Sequence, residues 1–105
     1  MHVDDCADAC VHLMKVYSGD SHVNVGSGED MTILELTKQV CEVVGFKGRI
    51  IHDLSKPDGT PRKLMSTSRL RALDWQPSIG FREGLEGTYQ AFLQGDYLQR
   101  SLAKV

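Results

Sequence analysis

Only two short stretches of this chain alternate as a β-strand should: residues 22–25 (His22-Val23-Asn24-Val25) and residues 49–53 (Arg49-Ile50-Ile51-His52-Asp53). A two-stranded sheet is marginal on its own in water. Either the helices supply most of the core, or the two strands belong to a larger sheet. With 105 residues, 41% of them hydrophobic and 25% charged, the chain has material for one modest core, so it is one domain or part of one.

The helical signals are clearer. Val3-Asp4-Asp5 reads as a helix start, because acidic side chains accept bonds from the free N–H groups and complement the positive end of the dipole. Cys6, Cys10, Leu13 and Tyr17 then recur at intervals of three or four, and Ser18-Gly19-Asp20 supplies a stop. This stripe makes Cys6 and Cys10 core residues rather than reactive thiols. Thr32 and Glu35 have the spacing of a capping box. Behind them Ile33, Leu36, Val40, Val43 and Val44 share one face, and Gly45 suits the left-handed position past the end. Ser66-Thr67-Ser68 can cap a short helix through Leu70 and Leu73, which Pro77 keeps from continuing. Trp75 reads as core. Phe81, Leu85, Tyr89 and Phe92 stripe a last helix whose weak points are Gly84 and Gly87, unless these glycines permit close packing. From residue 94 the periodicity fades, and residues 94–105 read as a frayed tail.

Charge is distributed unevenly. Residues 1–46 hold eight acids against Lys15 and Lys38, while residues 47–71 hold Lys47, Arg49, Lys56, Arg62, Lys63, Arg69 and Arg71 against Asp53 and Asp58. Such a basic segment can meet phosphates or simply be a solvated face balancing the acidic half. Nucleic acid is a poor partner for it, since the net charge is -2 and no aromatics interleave the bases for stacking. No run approaches a membrane span, and Asp4 and Asp5 stand where a secretory signal would be basic, so a cytoplasmic protein is expected. Three cysteines without dense spacing fit reduced thiols. His2, Cys6 and Cys10 resemble a metal ladder, but on a helix its ends lie about 12 Å apart, too far for one ion. No metal site is expected.

Gly26-Ser27-Gly28, between a strand and a helix, invites a dinucleotide reading, yet Met31 stands where a third glycine is needed, so it reads as a turn. Residues 55–63 (Ser-Lys-Pro-Asp-Gly-Thr-Pro-Arg-Lys) are dense in turn formers and exclude regular structure. A basic loop directly after a strand is where α/β proteins commonly place ligand contacts.

Taken in order, His2-Val3-Asp4-Asp5, Val23-Asn24-Val25-Gly26, the loop Lys56-Pro57-Asp58-Gly59-Thr60-Pro61-Arg62-Lys63, Leu73, Trp75, Glu83-Gly84-Leu85 and Thr88-Tyr89 resemble the GDP-L-fucose synthases over nearly the whole chain. The His-Val-Asp-Asp start is shared by many extended short-chain dehydrogenases; the basic loop narrows the family. Ser66, Asp74 and Ala91 depart from its pattern, Asp74 standing where a glycine normally precedes the tryptophan.

The resemblance implies an α/β fold: the C-terminal, substrate-binding part of an extended short-chain dehydrogenase/reductase over residues 1–105, with helices packed on a few short strands and the Rossmann half absent. Whole enzymes of the family use NADP to epimerise and reduce GDP-4-keto-6-deoxymannose to GDP-L-fucose, and are homodimers. No tyrosine here has a lysine four residues on, since Ser21, Leu93 and Ser101 follow Tyr17, Tyr89 and Tyr97 at that spacing. The implied chain therefore has no catalytic residue, binds no cofactor alone and carries part of a GDP-sugar site. Arg49 and Lys63 align with basic positions near the GDP-sugar, where a diphosphate needs charge-assisted donors. Asp58 is placed to accept a sugar hydroxyl or to bond its own turn. The alternative is a non-catalytic module that binds a nucleotide sugar or pairs with a partner. Apolar surface left bare by the missing half would promote self-association.

Overall fold

Four helices form where the sequence supplies a start, a stripe and a stop: α1 (Val3–Val16), α2 (Ile33–Val44), α3 (Ser68–Ala72) and α4 (Phe81–Leu93). They come from a computed structural model that describes residues 1–59 and 62–95. The expected tail beyond residue 95 lies outside the described residues.

The start of α1 is not capped by its acids. The His2 imidazole Nδ1 accepts the Asp4 N–H at 3.0 Å. Asp5 is instead buried, with one carboxylate oxygen accepting from the Ser78 N–H (3.2 Å) and hydroxyl (3.1 Å) and the other from the Ile79 N–H (2.9 Å). That three-donor grip turns the Asp5 and Ala9 side of α1 inward. Leu13, one turn further on, packs against the core, whereas Cys6 and Cys10 are exposed. The expectation that these cysteines are core is corrected: a charged residue with three buried donors sets the helix face, and hydrophobic periodicity alone cannot register that.

The core is small. Ala9, Leu70 and Trp75 are buried, with Leu13, Val23 and Val25 packed around them. The Trp75 indole N–H donates to an Asp8 carboxylate oxygen at 2.9 Å, and the His12 ring Nε2 meets the Leu73 carbonyl at 2.6 Å. Both bonds lock α1 onto the segment after α3. Just before Trp75, Asp74 sits at φ 62, the left-handed conformation for which glycine is the easy residue.

α2 begins with the capping box foreseen in the sequence: Thr32 Oγ1 accepts the Glu35 N–H at 3.1 Å and Glu35 Oε2 accepts the Thr32 N–H at 3.0 Å. Gly45 closes it at φ 75. The short α3 differs from expectation, since Thr67 is its N-cap without a side-chain cap bond. Its hydroxyl lies against Gly28, so close that a Cβ added there would meet it at 3.0 Å.

No strand occurs among the described residues, which are helices joined by extended segments, so the short strands expected of an α/β class are not confirmed there. The physical reason is that a strand exists only through its neighbour's hydrogen bonds. Residues 22–25 run extended with Val23 and Val25 against the core, and residues 49–53 are exposed throughout.

α2 and α4 pack on each other, and Arg82 of α4 ties them by donating to Glu42 of α2 (2.6 Å), while a second bond to Glu86 (3.0 Å) stays within α4. Neither apolar stripe is fully covered: Ile33, Val40, Val44, Phe81 and Phe92 all remain exposed. The radius of gyration is 17.3 Å, against about 13 Å for a compact domain of 100 residues.

The two helical glycines of α4 separate cleanly. Gly84 is buried, and a Cβ there would meet His2 at 3.2 Å and Ile79 at 3.4 Å, whereas Gly87 faces open space. Gly87→Ala is therefore expected to stabilise the chain by about 0.5–1 kcal/mol, the helix-propensity gain. Gly84→Ala loses that gain to crowding at the start of α1. Urea unfolding followed by circular dichroism should rank the chains Gly87→Ala, wild type, Gly84→Ala.

Candidate functional site

The described residues between Gly45 and Ser68 have irregular backbone, and the bases among them up to residue 63 are exposed. One tight feature among these described residues is local. Asp53 Oδ1 accepts the Ser55 hydroxyl at 2.5 Å and the Ser55 N–H at 3.0 Å, closing a turn. The Ser55 hydroxyl, then its N–H, hold the Asp53 carboxyl below the usual value.

The residues singled out from the sequence all lie on this segment. Arg49, Asp58 and Lys63 are exposed, and no hydrogen bond or ion pair among the described residues engages their side chains or joins them to one another. Thr60 and Pro61, which complete the loop, lie outside the described residues. Arg62 is different: its Nε donates to Asp30 Oδ2 at 2.6 Å and its Nη2 to Asp30 Oδ1 at 3.4 Å. This fork neutralises Arg62 and pins the loop beside the approach to α2. Arg69 is also engaged, donating to the His22 carbonyl at 3.0 Å. Two of the seven bases thus hold the fold, while Arg49 and Lys63 keep free charge suited to an anionic oxygen ligand.

Sequence reasoning passed over Arg71. It lines an open cleft of about 320 Å³ with Asp74, Trp75 and Gln76, and its Nη2 lies 3.6 Å from where a Gly28 Cβ would stand. Its signal was faint: a base next to a buried leucine, with a distant glycine turn that only the fold brings near.

The Gly26-Ser27-Gly28 turn lacks the third glycine of a dinucleotide loop, Met31 standing at that position, and Thr67 Oγ1 and Arg71 Nη2 lie 3.0 and 3.6 Å from where a Gly28 Cβ would stand.

No protein-family model matches the chain. Among curated proteins it is 55% identical over 94 residues to GDP-L-fucose synthase 1 of Arabidopsis thaliana, covering 90% of the chain and 29% of that protein. It is 50% identical over 93 residues to a GDP-L-fucose synthase of Sinorhizobium fredii, covering 89% of the chain and 30% of the relative. With the GDP-L-fucose synthase of Escherichia coli the identity is 47% over 103 residues, covering 90% and 32%. Among solved structures, a GDP-6-OMe-4-keto-L-xylo-heptose reductase from Campylobacter jejuni superposes with a TM-score of 0.83 at 29% identity, over 91% of this chain and 30% of that one. A GDP-mannoheptose C4 reductase from the same organism, with NADP bound, gives 0.73 at 30% identity, over 88% and 30%. The chain spans about three tenths of the length of these relatives.

Proposed function

The chain is homologous to the C-terminal portion of the GDP-L-fucose synthases, and from this we propose that it is the GDP-sugar-binding portion of such an enzyme. The observation that carries the reading is the match along 90% of the chain to synthases of that name. Arg49 and Lys63 fit the role physically: both are exposed cations without a side-chain partner among the described residues, able to donate to a diphosphate. Asp58, on the same loop, supplies an acceptor for a sugar or ribose hydroxyl. Catalysis is assigned to the parts of the relatives that this chain does not match. The described side chains offer no tyrosine–lysine pair to carry the proton, and NADP would have to be held elsewhere.

Titrating GDP into the labelled chain while recording amide NMR spectra tests this. Amides near residues 49, 58 and 63 are expected to shift saturably, with weak affinity, on the order of a millimolar dissociation constant, because an incomplete pocket buries little of the ligand. A well-dispersed spectrum that ignores GDP would overturn the reading.

A second reading, a non-catalytic module that assembles with a partner or with itself, is favoured by one observation. The chain exposes 8798 Å², against about 5,900 Å² for a compact monomer of its mass. A sedimentation series discriminates: mass rising with concentration favours assembly through the uncovered α2 and α4 stripes, and a constant monomer mass argues against it.

A further inference from the structure

α1 presents a row of soft sulfur ligands that neither the core nor the proposed GDP-sugar site uses. Cys6 and Cys10 are free thiols, both exposed, one helical turn apart on a 14-residue helix. Met14, one turn beyond, is 85% exposed, so its thioether is accessible to solvent. The opposite side of α1 is the one fixed inward, through Asp5, Ala9, the Asp8–Trp75 bond and the His12–Leu73 bond, so the sulfur row is held facing out.

Side chains four apart on a helix have Cβ atoms about 5–6 Å apart, and each thiol sulfur can swing inward from its Cβ by one rotamer choice. That reach suits a single ion held between two thiolates. A tetrahedral zinc site needs four converging ligands, and no cluster of three or more His, Cys, Asp or Glu occurs among the described residues. A soft monovalent ion content with two thiolates is the better match, and thiolate with thioether is the ligand set that selects Cu(I). Met14 adds the thioether: long helical side chains lean back toward the helix N-terminus, which carries its sulfur over the turn that holds Cys10. His2 continues the row at the same spacing, but its Nδ1 is committed to the Asp4 N–H.

We propose that Cys6 and Cys10, assisted by Met14, form a binding site for a soft monovalent metal ion of the Cu(I) class on the outer face of α1. Binding forms two metal–thiolate bonds, to Cys6 and Cys10, and a weaker bond to the neutral Met14 thioether, and releases both thiol protons to solvent; copper enters as Cu(I), so no electron is transferred.

The test titrates the reduced chain with Cu(I) against a chromophoric Cu(I) chelator, anaerobically, with circular dichroism at each point. One Cu(I) per chain is expected, withdrawn from the chelator with the chain still monomeric and helical. Cys6→Ser and Cys10→Ser each weaken binding by at least about 100-fold. Met14→Leu weakens it several-fold, and Cys41→Ser leaves it unchanged. Cys6, Cys10 and Met14 lie on exposed positions and Cys41 is half-buried, and the circular dichroism at each point checks that every variant keeps the wild-type helix signal. The proposal is overturned if the chain takes no more Cu(I) than the Cys6→Ser, Cys10→Ser double variant, if Cys41→Ser also loses the ion, or if the loaded chain appears only as a copper-bridged dimer.

Discussion

Leu70→Ala is expected to lower the unfolding free energy by about 2–5 kcal/mol, while Leu54→Ala changes it by less than about 0.5 kcal/mol. The two substitutions delete the same atoms, and burial separates them. Leu70 is 1% exposed at the centre of the cluster with Ala9 and Trp75, and Leu54 is 92% exposed. The small core sharpens the effect, because Leu70 is the largest side chain that is fully buried, and a cavity there uncovers Trp75 and the half-buried Val23 and Val25 together. Urea unfolding followed by circular dichroism and by Trp75 fluorescence checks it. Equal shifts for both variants would mean that Leu70 is not enclosed with Ala9 and Trp75 as described. Leu70→Met, which roughly conserves volume, should cost less than about 1.5 kcal/mol and separates lost packing from lost helix.

What the sequence made legible was local. The Thr32–Glu35 box, the left-handed Gly45 and the α4 helix each depend on residues within a turn or two, and each stands in the structure as read; Trp75 is buried as read, though α1 supplies part of its cover. The strain at Asp74 was also foreseeable, from the glycine expected before a tryptophan. What failed was non-local. The residues that alternate as strands do so in extended backbone, but a ladder needs a neighbour, and none is supplied by the described residues. The inward face of α1 was misjudged for the same reason, since the donors that bury Asp5 lie more than seventy residues away. In the candidate site, composition pointed to the right segment but could not sort its cations. Arg62 is claimed by Asp30 and Arg69 by a carbonyl, and only the fold shows that these two, out of seven bases, are the ones engaged.

Asp5 gives the chain its expected acid sensitivity. The Ile79 N–H is the largest influence on its carboxyl, opposed by burial and reinforced by the Ser78 N–H and hydroxyl and by the nearby His2, and the net effect lowers its pKa below the ordinary 3.8. A carboxyl depressed in the folded state binds protons more readily when unfolded. Its contribution is therefore fully present above the unfolded value, near pH 4, and is lost as pH falls through the lower folded value. Thermal midpoints of the wild type should thus be flat with respect to this group near neutrality and drop steeply below about pH 4. Asp5→Asn turns an acceptor-only group into one carrying an N–H₂ aimed at N–H donors, so its midpoint should already be lower at pH 7, by on the order of 10 °C, with a shallower fall in acid. Asp53→Asn is the control: that carboxyl is also depressed, but it bonds only Ser55 two residues away and joins no two parts of the chain. If both variants behave alike, Asp5 does not hold α1 to the approach of α4.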